Sequence, residues 1–210
     1  MAFWLFAGAG TPYWPVGWTF IGLFSAFNTW LCYGLERSDP RLFDERLNMF
    51  NPRGQPLWDR ILFAGLMMLI SAWLALAGLE AGRLGHVNFP VWLQVCGAIL
   101  MLGGLYGTFY VMSRNTFLAP TVRMQVERRH RLVSDGPYAL VRHPFYTLLM
   151  LHFIGGSIML GSLWSLAVSL AIGILFAYRC TREETFLIER LDGYAAYTER
   201  VRYRLLPFVW

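Results

Sequence analysis

Lysine is absent from this 210-residue chain, so all 18 of its basic residues are arginines. Charge of either sign is scarce, because charged residues make up 15% of the sequence, against about 25% in an average soluble domain. Hydrophobic residues make up 56%, and the mean hydropathy is +0.43. These values exclude an ordinary soluble domain and favour an integral membrane protein. The arginine-only usage fits either recognition of planar carboxylate and phosphate groups or a biased genome composition.

Cysteine is scarce as well. Cys32, Cys96 and Cys180 are far apart and form no C-x-x-C pair, so they predict neither a disulfide framework nor a zinc site. The sequence has no glycine-rich dinucleotide fingerprint, no Walker-type loop and no metal-spaced histidine cluster, and we expect no metal site. The apolar N-terminus lacks a basic segment, and we therefore expect no cleaved signal peptide.

Long apolar segments predict how the chain crosses a membrane. A spanning helix needs about 20 mainly apolar residues, and three segments meet this length. A fourth, residues 145–178, is too long for one span, so we predict two helices that turn at LGSLW (160–164) as a tight hairpin. The predicted fold is an all-α integral membrane protein with five transmembrane helices. The first three predicted spans are residues 16–35, 57–79 and 90–112.

The arginines predict the orientation of these helices. The first and third connections and the C-terminal tail hold 17 of the 18 arginines, whereas the second connection holds Arg83 and the hairpin turn holds none. Basic residues are retained in the cytoplasm, so we expect a multi-pass protein with its N-terminus outside and its C-terminus inside. Because the arginines follow this topology, we expect no nucleic-acid binding. The 17 are Arg37, Arg41, Arg46, Arg53, Arg60, Arg114, Arg123, Arg128, Arg129, Arg131, Arg142, Arg179, Arg182, Arg190, Arg200, Arg202 and Arg204.

A polar stretch, HRLVSDGPYALVRHPFY (130–146), precedes the fourth predicted span. Its centre is rich in turn formers, and Pro144 suits the first turn of a helix. A helix N-terminus can bind a carboxylate or phosphate, so Arg142, His143 and Tyr146 are candidates for a binding site. The alternative is that Arg142 and His143 anchor the span at the level of the lipid headgroups.

A second polar stretch, AYRCTREETFLIERL (177–191), follows the fifth predicted span. Arg179 and Glu183 are four residues apart and share a helix face, while Glu184 points about 100° away. An exposed pair of this kind contributes only about 0.3–0.5 kcal/mol. Because charge is costly at the hydrocarbon boundary, we expect Arg179 to face a cavity or a partner. The last segment, 193–210, would by itself be an amphipathic segment on anionic lipid.

Together these motifs carry a resemblance. The 130–146 stretch, the short apolar hairpin, Arg179-x-x-x-Glu183-Glu184, Tyr194-x-x-Tyr197 and RVRYRLLP resemble the isoprenylcysteine carboxyl methyltransferase family of integral membrane enzymes, over residues 114–210. The resemblance implies methyl transfer from S-adenosylmethionine in a cytosolic cofactor pocket, closed by the C-terminal helix and loops. It implies a lipophilic substrate that enters from the bilayer. Residues 1–210 are then one membrane domain, with three spans in 1–113 and a methyltransferase-like half in 114–210.

The resemblance also implies roles for individual residues. It assigns Arg179 to the substrate carboxylate as the catalytic residue. Membrane lipids are expected as surroundings, and no obligate protein partner is implied. The residues implied to bind the cofactor are Gln125, His130, Arg131, Leu132, Val133, Tyr138, His143, Pro144, Phe145, Tyr146, Glu183 and Glu184.

The chemistry favours a carboxylate as methyl acceptor, such as that of a prenylcysteine. A carboxylate is ionised at neutral pH and needs no general base, and an arginine can hold it with two parallel hydrogen bonds. An amine or thiol acceptor, as in phospholipid N-methyltransferases and small-thiol S-methyltransferases, would need a base such as Glu183, Glu184 or His143. Two other classes of function remain as alternatives to a methyltransferase. One is an NADPH-dependent sterol-type reductase, since these enzymes share the R-H-P-x-Y motif and a similar tail. The other is a non-catalytic membrane scaffold.

Overall fold

The computed structural model describes residues 1–47, 54–85 and 89–210. Within these ranges every regular element is a helix, which confirms the all-α prediction for the described part of the chain. The predicted first connection includes Arg53, which lies outside the described residues. The α-helices are α1 (Ala2–Ala9), α2 (Pro15–Ser38), α3 (Pro40–Leu47), α4 (Leu57–Ala77), α5 (Val91–Arg114), α6 (Pro144–Leu160), α7 (Leu163–Arg190) and α8 (Tyr194–Arg200).

Shorter helical turns complete the described structure. The π-helix Gly78–Leu84 continues α4 without a break. Two short 3₁₀ turns, Val126–Arg128 and Gly136–Ala139, lie between α5 and α6. The polar stretch before α6 is therefore built from turns and extended backbone.

Among the described residues, three helices are long and apolar enough to cross a membrane, namely Leu57–Leu84, Val91–Arg114 and Leu163–Arg190. They support a membrane protein. Helix α2 is 24 residues long but is not among them, because asparagine, threonine, serine and tryptophan residues lower its hydropathy. Helix α6 is apolar but has only 17 residues. The five-span count and the orientation stay predictions.

The chain divides into two compact units. Helices α2, α4, α5, α6 and α7 each contribute residues to both units. The predicted site residues, from Gln125 to Tyr146 and from Arg179 to Glu184, all belong to the second unit. The first unit is Met1–Trp30, Gly65–Tyr106 and Leu148–Ile174, and the second is Leu31–Ala64, Gly107–Thr147 and Leu175–Trp210.

Small residues and serines hold the helices of the first unit together. A Cβ atom at Gly97 would overlap the backbone of Met159, so α5 and α6 touch through their backbones there. Such contacts are typical of membrane helices, which gain little from apolar burial against lipid. The Trp73 indole N–H donates to the hydroxyls of Ser157 at 2.8 Å and Ser169 at 3.0 Å. These three polar side chains are thus satisfied by one another.

A buried acid caps the start of α7 in the first unit. Helix α6 ends at Leu160 and α7 begins at Leu163, within the predicted turn at 160–164. The Ser162 hydroxyl oxygen accepts the Ser165 backbone N–H at 3.0 Å, as an N-cap does. The Glu80 carboxyl group accepts both the Ser162 O–H at 2.6 Å and the Trp164 backbone N–H at 2.8 Å. An acid at this position also complements the helix dipole.

Replacing Glu80 by alanine should destabilise the protein. Because Glu80 is 2% exposed, the substitution leaves the buried Ser162 hydroxyl and the part-buried Trp164 N–H without this acceptor, a loss of about 1–3 kcal/mol. The thermal midpoint in detergent, followed by tryptophan fluorescence, should fall by roughly 2–4 °C for each kcal/mol lost. The exposed acid Glu199 on α8 provides the control Glu199→Ala, which should leave the midpoint unchanged. Equal midpoints for both variants would contradict the capping role.

Candidate functional site

A cavity in the second unit is lined by the segment after α5, the polar stretch before α6, the end of α7 and α8. Its empty volume, with the open solvent at its mouth included, is about 910 Å³. The lining residues are Asn115, Phe117, Leu118, Ala119, Pro120, Thr121, Val122, Arg123, His130, Arg131, Leu132, Val133, Tyr138, Arg142, His143, Pro144, Phe145, Tyr146, Arg179, Glu183, Leu187, Leu191, Tyr194 and Tyr197.

Most of the predicted site residues meet at this cavity. Gln125 and Glu184 do not line it, and each is buried against other partners. The Gln125 amide donates to the Phe117 carbonyl at 2.7 Å and accepts a hydrogen bond from Arg128 at 2.7 Å. The roles assigned to all these residues stay predictions. The eleven that line the cavity are His130, Arg131, Leu132, Val133, Tyr138, His143, Pro144, Phe145, Tyr146, Arg179 and Glu183.

The C-terminal tail is bound to the start of α6. The backbone N–H groups of Arg142 and His143 donate to the carbonyls of Tyr203 and Arg204, each at 2.9 Å. The Thr147 hydroxyl donates to the Leu205 carbonyl at 2.7 Å. The residues before α6 are therefore paired with the tail, which places their side chains beside it.

Glu184 joins α7 to both of these segments. Its carboxylate accepts hydrogen bonds from the Nε atoms of Arg142 at 2.6 Å and Arg204 at 2.8 Å, and His143 Nε2 lies 3.3 Å away. The side chains of Glu184 and Arg142 are each 6% exposed. Arg142 also donates to the Val201 carbonyl at 2.7 Å. A buried ion pair tolerates the loss of one partner poorly, so this cluster fixes the tail.

Glu183 lies one position earlier on α7 and faces the cavity. The Tyr146 hydroxyl donates to its carboxylate at 2.7 Å. The Tyr146 ring stacks on Phe176, with ring centres 5.0 Å apart, and on His143 at 5.7 Å. The carboxylate is therefore held in place by a side chain whose ring is itself stacked on two neighbouring rings.

Arg179 has both a partner and access to the cavity. Its Nε donates to Asp59 at 3.0 Å and its Nη2 donates to the Pro120 carbonyl at 2.7 Å. The side chain is 5% exposed, and that of Asp59 is 0% exposed. Asp59 was not predicted, because it is 120 residues from Arg179. Its one sequence signal is a lone acid in the first turn of an apolar helix, where an unpaired charge is costly.

Residues 92–192 match the model of the phospholipid methyltransferase family. The protein-S-isoprenylcysteine O-methyltransferase of Schizosaccharomyces pombe is 30% identical over 115 residues, which are 54% of this chain and 49% of that protein. The probable protein-S-isoprenylcysteine O-methyltransferase of Oryza sativa subsp. indica is 27% identical over 113 residues, 53% of this chain and 59% of that protein. For protein-S-isoprenylcysteine O-methyltransferase B of Arabidopsis thaliana the identity is 25% over 113 residues, 52% and 57% of the two chains.

The matched half of the chain is thus similar to the phospholipid methyltransferase family and to proteins named protein-S-isoprenylcysteine O-methyltransferase. This confirms the resemblance found in the sequence. The chain spans about half the length of the curated relatives it matches. The matched segment, residues 92–192, contains most of the cavity wall, whereas the lining residues Tyr194 and Tyr197 lie outside it.

Several cavity residues were not predicted. Asn115, directly after α5, donates from its amide to the Tyr138 hydroxyl at 2.9 Å. The Tyr197 hydroxyl donates to the Tyr138 carbonyl at 2.7 Å. Burial raises the pKa of Tyr138 and Tyr197, so both stay neutral phenols. The 117–123 part of the wall carries no motif that sequence alone would single out.

His130 lines the cavity, and one of its ring nitrogens has no hydrogen-bond partner among the described residues. Its ring stacks on Phe117, with ring centres 4.6 Å apart. Burial and, to a smaller extent, the nearby Arg128 charge hold the pKa of His130 below its ordinary value of 6.5. Nδ1 is buried and has no hydrogen-bond partner among the described residues. The ring of this cavity-lining residue therefore has a hydrogen-bonding nitrogen that the described residues leave unused.

His130 should make stability depend on pH. The pKa of His130 is lower in the folded protein than in the unfolded chain. Below pH 6.5 the unfolded chain therefore binds more protons than the folded protein does. The folded protein loses stability as the pH falls through this range, until the folded histidine is protonated as well. The thermal midpoint should therefore drop between pH 7.5 and pH 5.5. In His130→Gln this drop should be smaller, since the group that takes up the proton is gone. Parallel midpoint curves for the two proteins would contradict the assignment.

Proposed function

We propose that this protein is a membrane methyltransferase that uses S-adenosylmethionine and methylates the carboxylate of a lipophilic, prenylcysteine-like acceptor. One observation carries the proposal. Arg179 and Glu183, one helical turn apart on α7, line the same cavity as His130 and the RHPFY segment. The names of the matched relatives support the same reaction.

The wall of the cavity fits the methyl donor. The carboxylate of Glu183, which the Tyr146 hydroxyl holds in place, can bind the hydroxyl groups or the positive charge of S-adenosylmethionine. The unpaired His130 Nδ1 offers a hydrogen-bonding atom, and Leu132 and Val133 offer apolar surface for a purine ring. When bound, the donor supplies an activated methyl group on a sulfonium. The chain itself has to hold donor and acceptor in line and exclude water.

Arg179 has free capacity for an acceptor carboxylate. A guanidinium carries five N–H groups, and the described hydrogen bonds of Arg179 use one on Nε and one on Nη2. The remaining N–H groups, including those on Nη1, are available to the cavity that Arg179 lines. A charge-assisted pair of hydrogen bonds to a carboxylate fixes the orientation of the acceptor. The carboxylate is already ionised, so no base has to be found.

We also propose the predicted topology for this enzyme. Five spans would place the N-terminus outside and the tail, with the cavity, in the cytoplasm. The three apolar helices and the asymmetric distribution of arginines support this arrangement. A lipophilic acceptor would reach the cavity from the bilayer and would need no obligate protein partner.

A phospholipid amine is the second candidate acceptor. The family model that the chain matches is described as phospholipid methyltransferase. Asp59 and Glu183 together oppose the single charge of Arg179, which leaves one net negative charge in this group. Such a balance favours an acceptor with a cationic headgroup, and Glu183 would then be the base that takes its proton.

A methyl-transfer assay distinguishes the acceptors. The purified protein in lipid nanodiscs is given radiolabelled S-adenosylmethionine with S-farnesylcysteine, phosphatidylethanolamine or a long-chain thiol. We expect label in S-farnesylcysteine that is released by mild base, as a methyl ester is. Base-stable label in the phospholipid alone would favour the amine acceptor. Transfer to none of the three would refute the proposed function.

Replacing Glu183 by glutamine should weaken donor binding. A hydrogen bond to a charged group contributes about 1.5–3 kcal/mol, so the Kd for S-adenosylmethionine should rise by roughly 10- to 100-fold. Glu189→Gln is the matched control, because Glu189 is an exposed acid on the same helix that does not line the cavity. Calorimetric titration measures both. Equal Kd values for the two variants would exclude Glu183 from the donor site.

A further inference from the structure

We propose that Asp59 is a positioning residue of this site, which orients Arg179 toward the acceptor and fixes the adjoining cavity wall. The inference rests on the proposed function. Asp59 lies in the first turn of α4, outside the matched residues 92–192. It would therefore be a contribution of the N-terminal half of the chain to methyl transfer.

Both carboxylate oxygens of Asp59 are used. Oδ1 accepts the Arg179 Nε–H at 3.0 Å. Oδ2 accepts the Gln55 side-chain amide at 2.8 Å and the Val122 backbone N–H at 2.9 Å. The side chain is fully buried. A buried carboxylate that accepts three hydrogen bonds is fixed in one orientation. In turn it fixes the positions of the three groups that donate to it.

The contact with Asp59 sets the plane of the Arg179 guanidinium. Two anchors, Asp59 at Nε and the Pro120 carbonyl at Nη2, lie along one edge of the planar group. The guanidinium carbon also lies 5.7 Å from the centre of the Tyr146 ring. With that edge fixed, the N–H groups on Nη1 point to one defined place. Asp59 also compensates a charge that would be costly to bury alone.

Asp59 acts on the cavity wall as well. Val122, which donates to Asp59, and Pro120, which accepts from Arg179, belong to the 117–123 segment that lines the cavity. Gln55 and Asp59 thus tie this segment and Arg179 into one hydrogen-bonded group. A displacement of about 1 Å in a group that orients a reactant can cost about 100-fold in rate.

Four variants of the full chain test this role. Asp59→Asn keeps the shape but loses the charge, and its added N–H groups oppose the donors around it. Arg179→Lys keeps the charge but loses the planar fork, and the double variant combines the two. Asp192→Asn makes the same chemical change at an exposed acid outside the cavity lining. For each protein kcat, the KM of the acceptor that the wild type methylates and the Kd of S-adenosylmethionine are measured.

If Asp59 acts through Arg179, Asp59→Asn lowers kcat/KM for the acceptor by about 10- to 100-fold and leaves the Kd of S-adenosylmethionine within about twofold. The loss in the double variant should then be well below the product of the two single losses, because both changes remove the contact between Asp59 and Arg179. Asp192→Asn should behave as the wild type.

Two results would contradict the role of Asp59 without contradicting the proposed function. One is a double variant whose loss equals the product of the two single losses, since Asp59 would then act independently of Arg179. The other is a loss of S-adenosylmethionine affinity in Asp59→Asn that matches its loss of activity, which would make Asp59 a general support of the fold. A wild type that methylates no acceptor contradicts the proposed function itself and removes this role with it.

Discussion

The candidate site depends on one buried carboxylate. Glu184 accepts hydrogen bonds from Arg142, just before α6, and from Arg204 in the C-terminal tail. A carboxylate buried to this extent is tolerated only when it is paired, so the three segments have to meet for the second unit to form. The same meeting places His143, Tyr194 and Tyr197 along the cavity. The polar groups that looked like membrane anchors therefore build the wall of a site.

Three of the charged residues on helix α7 have three different partners. Arg179 pairs with Asp59, Glu183 accepts from Tyr146, and Glu184 binds Arg142. Because Glu183 and Glu184 differ by about 100° around the helix, one faces the cavity and the other faces the tail. Adjacent acids of the same chemistry thus have separate tasks, one at the site and one in the support behind it.

Sequence reasoning predicted the all-helical class, the turn near Gly161 and about half of the residues that line the cavity, because these depend on apolar length, turn formers and local motifs. It assigned both Glu183 and Glu184 to the cofactor. Helical spacing shows that the two side chains point in different directions, but it does not show which one faces the cavity. Gln125 and Asp59 depend on long-range pairing, which spacing along the chain does not encode. Helix α2 is only weakly apolar and helix α6 is short. The number of membrane spans is therefore the feature of the fold that hydropathy determines least well.

The account brings a neutral His130, an anchored Glu183 and an oriented Arg179 to one cavity, and its central claim is that the cavity holds S-adenosylmethionine. Calorimetric titration of the purified protein with S-adenosylhomocysteine and, separately, with NADPH tests this claim most directly, because the sterol-type reductases share the RHPFY and tail motifs. The account predicts saturable one-to-one binding of S-adenosylhomocysteine and no binding of NADPH. Binding of NADPH, or of neither compound, would contradict it.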